Sequence, residues 1–404
     1  MNLTPIYVTG MGAVSAAGLG VAALWNATAE GRSGVRPISF GPENQIFIKT
    51  AAHLPEIDEA LKPKVPTLGG NIDIVTTISL IAAAEAMAQA KWPQGQPLGP
   101  DTAVVIGTGI AAVNTIDQEY HKGFYKTGRP DPFTVPKIMP SAPASHISMT
   151  YGAQGPSFAL SSACSSSSQA VGIAMMLIRS GMARRAIVGG TEALLTYSGF
   201  RAWEALRVMT PTLCRPFSKN RNGMILGEGA AIMLIETEDA MRERGAEPLA
   251  ELAGYGTTSD AGDLLRPDAP SCARAMNAAL QDGGLAAQDI GYINAHGTAT
   301  ILNDHTETSA MREVFGNRLD TMPVSSTKPI HGHTLGAAGA IELAVTIEAL
   351  RHQVAPPTIN WQEPDAACIA NPVANVAQPT AMKAAMSNSF AFGGINSCLV
   401  VRKV

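Results

Sequence analysis

Residues 155 to 181, GPSFALSSACSSSSQAVGIAMMLIRSG, constrain the fold more than any other stretch of this chain. An extended apolar run closes in small residues, reaches Cys164 and passes directly into a helical pattern. The segment Ala170 to Ile178 is apolar nearly all round, which predicts a helix buried on every side. Cys164 then sits at a helix N-terminus, where unpaired N–H groups and the helix dipole lower a thiol pKa and make sulfur nucleophilic near neutral pH. The small residues Ser161 to Ser168 leave room for a substrate. Taken alone, the same stretch equally suits a buried packing cysteine.

The chain has 404 residues, 46% hydrophobic and 15% charged, with 39 glycines, so a compact globular protein with closely packed backbones follows. A net charge of −4 and no basic run argue against nucleic acid. Five cysteines are widely spread, with no CxxC spacing and no histidines at metal distances, and read as reduced thiols in a cytosol. No bound metal or cofactor is expected. MNLTPIYVTGMG lacks a cationic lead and a long apolar segment, and no run of 18 apolar residues follows, so a cytoplasmic protein is predicted, neither secreted nor membrane-spanning.

In chain order, Ile6 to Thr9 is a β-branched run expected to break at Gly10 into a turn and helix. GMGAVSAAG at 10–18 and GYGTTSDAG at 254–262 share one spacing, G-x-G-x-x-S-x-A-G, and form an internal repeat. Neither completes a dinucleotide fingerprint, having Ser15 and Ser259 at the third glycine position. Val104 to Gly107, Ala186 to Gly190, Ala230 to Glu236 and Tyr292 to Asn294 read as buried strands alternating with Ala-rich helices such as Ile78 to Lys91. Two α/β halves are predicted, residues 1–250 with the cysteine and 251–404 with the histidines. Ser161-Ser162 has a counterpart in Ser325-Ser326, ahead of a second all-round apolar helix, Thr334 to Arg351. A pseudo-twofold axis would place the two buried helices side by side, with Cys164 facing Lys328, His331 and His333. His296, in NAHGTAT, follows a strand end, where ligands bind in open α/β sheets.

At these residues the chain resembles the β-ketoacyl-[acyl carrier protein] synthases, the elongating condensing enzymes of the thiolase superfamily, over essentially its whole length. The resemblance rests on VTGMGAVSAAG (8–18), SSACSSS (161–167), RPF and GEGAA (215–231), and NAHGTAT with Asp304 and Glu307. It continues through VSSTK and GHTLGAAGA (324–340), PPTIN (356–360) and NSFAFGGIN (388–396). It implies an α/β, thiolase-like five-layered α-β-α-β-α fold. It also implies Cys164 as acyl acceptor, His296 and His333 as the histidine pair, and Lys328 with Glu307 as its partner. Phe392 and Phe390 would occupy the oxyanion and gate positions, with Thr298, Thr300, Ile110 and Leu265 along the substrate path. Substrates would arrive on the phosphopantetheine of an acyl carrier protein. A homodimer is expected, with Ser157 to Ser161 near the contact, and a heterodimer with a chain-length partner is compatible.

The chemistry accounts for the residue types. Joining two thioesters requires parking one acyl chain on sulfur and making a carbanion equivalent by decarboxylating a malonyl group. Two imidazole Nε2–H groups can meet the enolate oxygen without being strong enough acids to quench the carbon. Departures from the family pattern are Ser218 and Asn222 for aspartates, Ala391 for a glycine, His331 for a smaller or thioether residue, and DLLRPD at 263–268 without the loop threonine. His331 is either a third catalytic imidazole or a loop residue. Other readings are a noncatalytic chain-length partner, which would not need Cys164, and a thiolase, which would need a second cysteine in the 388–396 loop. A metal hydrolase built on His296, Asp304 and His305 lacks a supporting spacing. Glu204 stands where a basic carrier-docking residue is usual, and Lys62 and Lys64 are sparse. Steering is therefore expected from Lys122, Lys126, Arg129 and Lys137.

Overall fold

The computed structural model describes residues 4–57, 72–125, 128–369 and 372–404. Ten strands carry the architecture. The first five are β1 (Ile6–Ser15), β2 (Thr102–Gly107), β3 (Ser157–Leu160), β4 (Arg185–Glu192) and β5 (Gly229–Thr237). The second five are β6 (Ala250–Ser259), β7 (Ile290–Asn294), β8 (Val324–Ser325), β9 (Ala384–Ala391) and β10 (Ile395–Arg402). The first set runs β3-β2-β4-β5-β1 across its sheet and the second runs β8-β7-β9-β10-β6, the same order displaced by five. Strand senses match as well. β2 is parallel to β3 and β4, and β7 to β8 and β9, while the remaining neighbours pair antiparallel. The repeat glimpsed in the two glycine motifs is thus a repeat of whole topology. β1 and β6 meet at Tyr7–Glu251 and Val8–Ala250, which joins the halves into one continuous sheet.

Helices α1 (Ile74–Gln89) and α2 (Ala142–Tyr151) cover the outer face of the first sheet. Helices α4 (Ala269–Asp282) and α5 (Ile301–Phe315) cover the outer face of the second. Between the sheets lie α3 (Ser166–Arg179) and α6 (Ala338–His352), giving five layers, α-β-α-β-α. Every residue of β2, β4 and β9 is buried, as expected of strands with helices on both faces. In α6 burial is unbroken from Ala338 to Leu350. α3 departs from the all-round expectation at Met176, which is 56% exposed.

Gly10 does not end a strand. β1 continues through it to Ser15, and the G-x-G pair serves helix packing instead of a turn. A Cβ on Gly10 or Gly12 would sit 2.1 or 1.9 Å from the carbonyl oxygens of Ala86 or Ala82 in α1. On Gly254 or Gly256 it would sit 2.1 Å from those of Ala279 or Ala275 in α4. Helix backbone lies directly on strand backbone in both halves, which only a residue without a side chain permits.

Each central helix is entered through a 3-10 turn, Ala163–Ser165 before α3 and Leu335–Ala337 before α6. The first residue of each turn is left-handed without being glycine, Ala163 at φ 50° and Leu335 at φ 45°. Cys164 and Gly336 are therefore structural counterparts. Among the described residues no helix is long and apolar enough to cross a membrane.

The packing role of the strand glycines has a direct test. Gly12→Ala should lower stability by about 1–3 kcal/mol through overpacking, whereas Gly123→Ala, with open space around the added Cβ, should change it by less than about 1 kcal/mol. Thermal melts of the two variants would show equal shifts if close strand–helix packing were irrelevant.

Candidate active site

The end of β3 delivers Cys164 to the cavity floor, and the segment between β8 and α6 delivers Lys328 and His333. His296 follows β7, as its strand-end position predicted. All four side chains are buried. The Cys164 sulfur lies 3.1 Å from His333 Nε2, and one nitrogen of each histidine and the sulfur fall within 4.8 Å of one another. The two imidazoles stand edge to face, 5.3 Å between centroids, and Phe390 closes the far side of His296 at 6.2 Å. The Phe392 N–H lies close enough to the sulfur to favour the thiolate, and both residues line the same cavity.

Lys328 fixes the tautomer of one histidine. Its ammonium donates to the His296 carbonyl oxygen and lies 3.3 Å from His296 Nδ1. An ammonium only donates, so Nδ1 accepts and the proton of neutral His296 is on Nε2. His333 has no such restraint, because its Nδ1 has no hydrogen-bond partner among the described residues. Its Nε2 can therefore accept a proton from sulfur or present one to a ligand. Burial first, and then the Lys328 charge, holds both imidazoles well below the usual histidine range, so both are neutral.

The partner of Lys328 is Glu342, not Glu307. Glu342 projects from α6 and forms the ion pair with Lys328 Nζ inside the core. Glu307 instead accepts the His296 and Gly297 N–H groups, each at 2.8 Å, and the Asn388 amide at 3.3 Å. It braces the histidine's backbone, and burial pushes its pKa to about 7. The sequence signal for Glu342 was a charge inside the otherwise apolar stretch Ala338 to Val345, since a buried carboxylate requires a partner. Glu192 was also missed. At the end of β4, it accepts N–H groups of Gly109 (2.6 Å), Ile110 (3.3 Å) and Gly336 (3.0 Å), tying both halves together beside the site.

A low-pKa thiolate is not what the fold produces. Burial pushes the Cys164 thiol up to about 12, outweighing the Lys328 charge and the Phe392 N–H, while Glu192 and Glu342 push it further up.

His331 is not a third catalytic imidazole. Its Nδ1 lies 2.8 Å from the Gly332 carbonyl oxygen and so donates, which leaves Nε2 to accept from the Thr327 hydroxyl at 2.9 Å. The metal-hydrolase set does not assemble either. Asp304 accepts the Phe217 N–H at 2.8 Å and faces Arg221, and His305 pairs with Asp365 at 3.0 Å. Thr298, Thr300, Leu265, Phe390 and Phe392 line a cavity of about 470 Å³ that opens from Cys164. Ile110 is outside its wall and 53% exposed, so its N–H, held by Glu192, is the part of it that touches the site's scaffold.

The departures from the family pattern are accommodated locally. Ser218 Oγ accepts the N–H groups of Gln362 and Glu363, each at 3.2 Å, and Asn222 accepts the Thr210 hydroxyl at 2.6 Å. Of the expected steering cations, Lys137 is bound to Asp131 at 2.5 Å and Lys122 lies 3.7 Å from Glu119. Lys62, Lys64 and Lys126 lie outside the described residues.

Fold and site define a condensing enzyme of the thiolase-like class. The chain belongs to the β-ketoacyl synthase family, whose N-terminal domain matches residues 3–240 and whose C-terminal domain matches 249–362. It is 38% identical to Nodulation protein E of Rhizobium sp. (strain N33), with 99% of each chain covered. It is 34% identical to 3-oxoacyl-[acyl-carrier-protein] synthase 2 of Staphylococcus aureus, with 98% of each covered. The structure entitled the ishigamide ketosynthase/chain length factor superposes with a TM-score of 0.94 at 29% identity over the whole of both chains. The chain is thus an acyltransferase of the β-ketoacyl-[acyl carrier protein] synthase type.

Alkylation kinetics test the state of the thiol. With the pKa raised, thiolate grows as pH rises, so Cys164 modification by iodoacetamide should accelerate about tenfold per pH unit from pH 7 to 9. A plateau above about pH 7 would restore the activated-thiolate reading.

Proposed function

We propose that the protein catalyses decarboxylative condensation of an acyl chain held on Cys164 with a malonyl group carried by an acyl carrier protein. The supporting observation is the contact between the Cys164 sulfur and His333 Nε2 at 3.1 Å, with His296 in the same buried cluster. In the first half-reaction, sulfur attacks the acyl thioester. The oxyanion meets the N–H groups of Cys164 and Phe392, and the thiol proton passes by way of His333 Nε2 to the departing pantetheine sulfur. In the second, the malonyl carbon–carboxylate bond breaks, carbon dioxide leaves and the electron pair moves onto the thioester oxygen. His296 Nε2–H and His333 Nε2–H stabilise that enolate. Its carbon attacks the acyl carbonyl, the carbon–sulfur bond to Cys164 breaks, and the thiolate takes one proton from solvent.

Neutral imidazoles suit the second step. An imidazolium would be acid enough to protonate the carbanion, and the Lys328 charge works against that state at both rings. A noncatalytic chain-length subunit would have no use for this assembled cluster, which favours the enzyme over that alternative. A second subunit, identical or a chain-length partner, fits the edge strand β3, flanked by the exposed methionines Met149 (57%) and Met176 (56%). The carrier's arm would enter where Leu206, Leu264, Leu265, Ile301 and Leu302 ring the mouth, beside Arg207 and Arg266.

Step-resolved assays separate the roles. Cys164→Ala should abolish condensation and retain malonyl decarboxylation. His296→Ala should lose decarboxylation by about 100-fold or more while acylating Cys164, and His333→Ala should slow both half-reactions. Condensation at the wild-type rate in Cys164→Ala would remove the sulfur from the mechanism. At the mouth, reversing Arg207 and Arg266 to Glu should raise KM for the acyl carrier with little change in kcat. An unchanged KM would place the carrier elsewhere.

A further inference from the structure

The turn joining β9 to β10 presents the Phe392 N–H to the nucleophile, and the two residues after Phe392 are glycines. Gly393 and Gly394 follow at φ 85° and 67°, contributing no side chains. The backbone is tied at Gly393 N to Leu264 O and at Gly394 O to Asp260 N, each 2.8 Å. The Phe392 ring stacks on Trp203, from the helix Tyr197–Ala205. The two rings lie within 18° of parallel, with centroids 6.3 Å apart, and both form the cavity wall. Trp203 is itself anchored. The next residue, Glu204, accepts the N–H groups of Phe47 and Ile48, each at 2.6 Å, and Arg201 at 2.8 Å, pinning the helix end to the 46–48 segment.

We infer that Trp203 is a positioning residue for acyl transfer: its stack on Phe392 holds the turn so that the Phe392 N–H points at the Cys164 sulfur and the developing oxyanion. This rests on the proposed two-step condensation and extends it to a residue that touches no reacting atom. An N–H donor is effective only when aimed before charge develops, and a misplacement of about 1 Å can cost on the order of 100-fold. A turn carrying two left-handed glycines is tied through its backbone but has no side-chain packing at those positions to help hold that aim. The ring stack supplies that packing, and Glu204 ties the end of the Trp203 helix to the 46–48 segment. Glu204 thus serves the site as an anchor, at a position where a basic carrier-docking residue is usual.

The test uses the full-length protein with Trp203→Ala and Trp203→Phe, each also combined with Cys164→Ala. Trp203→Ala should lower the single-turnover rate of Cys164 acylation by about 10- to 100-fold, with KM for the acyl carrier within about twofold. Trp203→Phe, which keeps a ring to stack, should recover most of the rate and secures the test should the smaller variant fold poorly. Malonyl decarboxylation, which uses the histidine pair, should be equal in Cys164→Ala and in Cys164→Ala/Trp203→Ala. Wild-type acylation by Trp203→Ala overturns the inference, as does a rise in KM with kcat intact, which would make Trp203 cavity wall only. Failure of Trp203→Phe to recover the rate, or a matching loss of decarboxylation in the double variant, also overturns it. Absence of decarboxylation in Cys164→Ala alone would instead sink the two-step reading and leaves the acylation comparison standing.

Discussion

The reaction centre depends on how closely the N-terminal ends of α3 and α6 approach. A Cβ on Gly339 would lie 1.9 Å from Ser168 Oγ and 3.0 Å from Ser168 N, so a side chain there would displace the Ser168 hydroxyl from its place between the helices. Small hydroxyls complete the contact: Ser167 Oγ accepts the Ala340 N–H at 2.9 Å, and Ser168 bonds Ser389 at 2.7 Å. One helix is preceded by Cys164 and the other by His333. Forcing the helices apart by the width of one methyl would separate the sulfur from the imidazole and end their 3.1 Å contact. The run of serines after Cys164 is therefore an interface between helices as much as a space for substrate.

Inside that contact a single ammonium organises the polar groups. Lys328 is buried and would be untenable without an anion, and Glu342 meets it from the middle of the most buried helix. Removing either partner would strand a charge in the core, at a cost of about 3–5 kcal/mol. The ammonium also sets which nitrogen of His296 carries hydrogen and opposes protonation of both rings. Glu307 performs a separate task, holding two consecutive backbone N–H groups so that His296 cannot rotate away from the cavity.

Much of this was legible from the residues. The buried strands, the repeated glycine spacing and the meeting of Cys164 with His333 followed from pattern, because burial on both faces of a sheet leaves a continuous apolar run. The G-x-G pairs misled as to the end of β1, since the same residue that permits a turn also permits a helix to lie on a strand. The Lys328 partner was misassigned because Glu307 and Glu342 both stand on helices that carry other acids, Asp304 and Glu313 in α5 and Glu348 in α6, and only the crossing of α6 beneath β7 and β9 distinguishes them. The thiol's raised pKa was hidden for a related reason. A helix N-terminus is visible in sequence, but the depth at which it is buried is set by layers contributed from residues far away. Trp203 gave no local signal at all, since its partner lies 189 residues later in the chain.

The two left-handed turns carry a history of their own. Ala163 and Leu335 each hold a conformation costing of order 1–3 kcal/mol for a residue with a side chain, yet only one of them precedes a nucleophile. The kink is thus a property of the duplicated scaffold, present whether or not chemistry occurs beyond it. At the second kink the counterpart of Cys164 is Gly336, where any Cβ would strike the Gly109 nitrogen at 2.2 Å. That backbone nitrogen and the Glu192 carboxylate already fill the place a second sulfur would need. A molecule built from two equivalent halves is in this way limited to one reactive centre, and the asymmetry that makes it an enzyme is located in a single missing side chain.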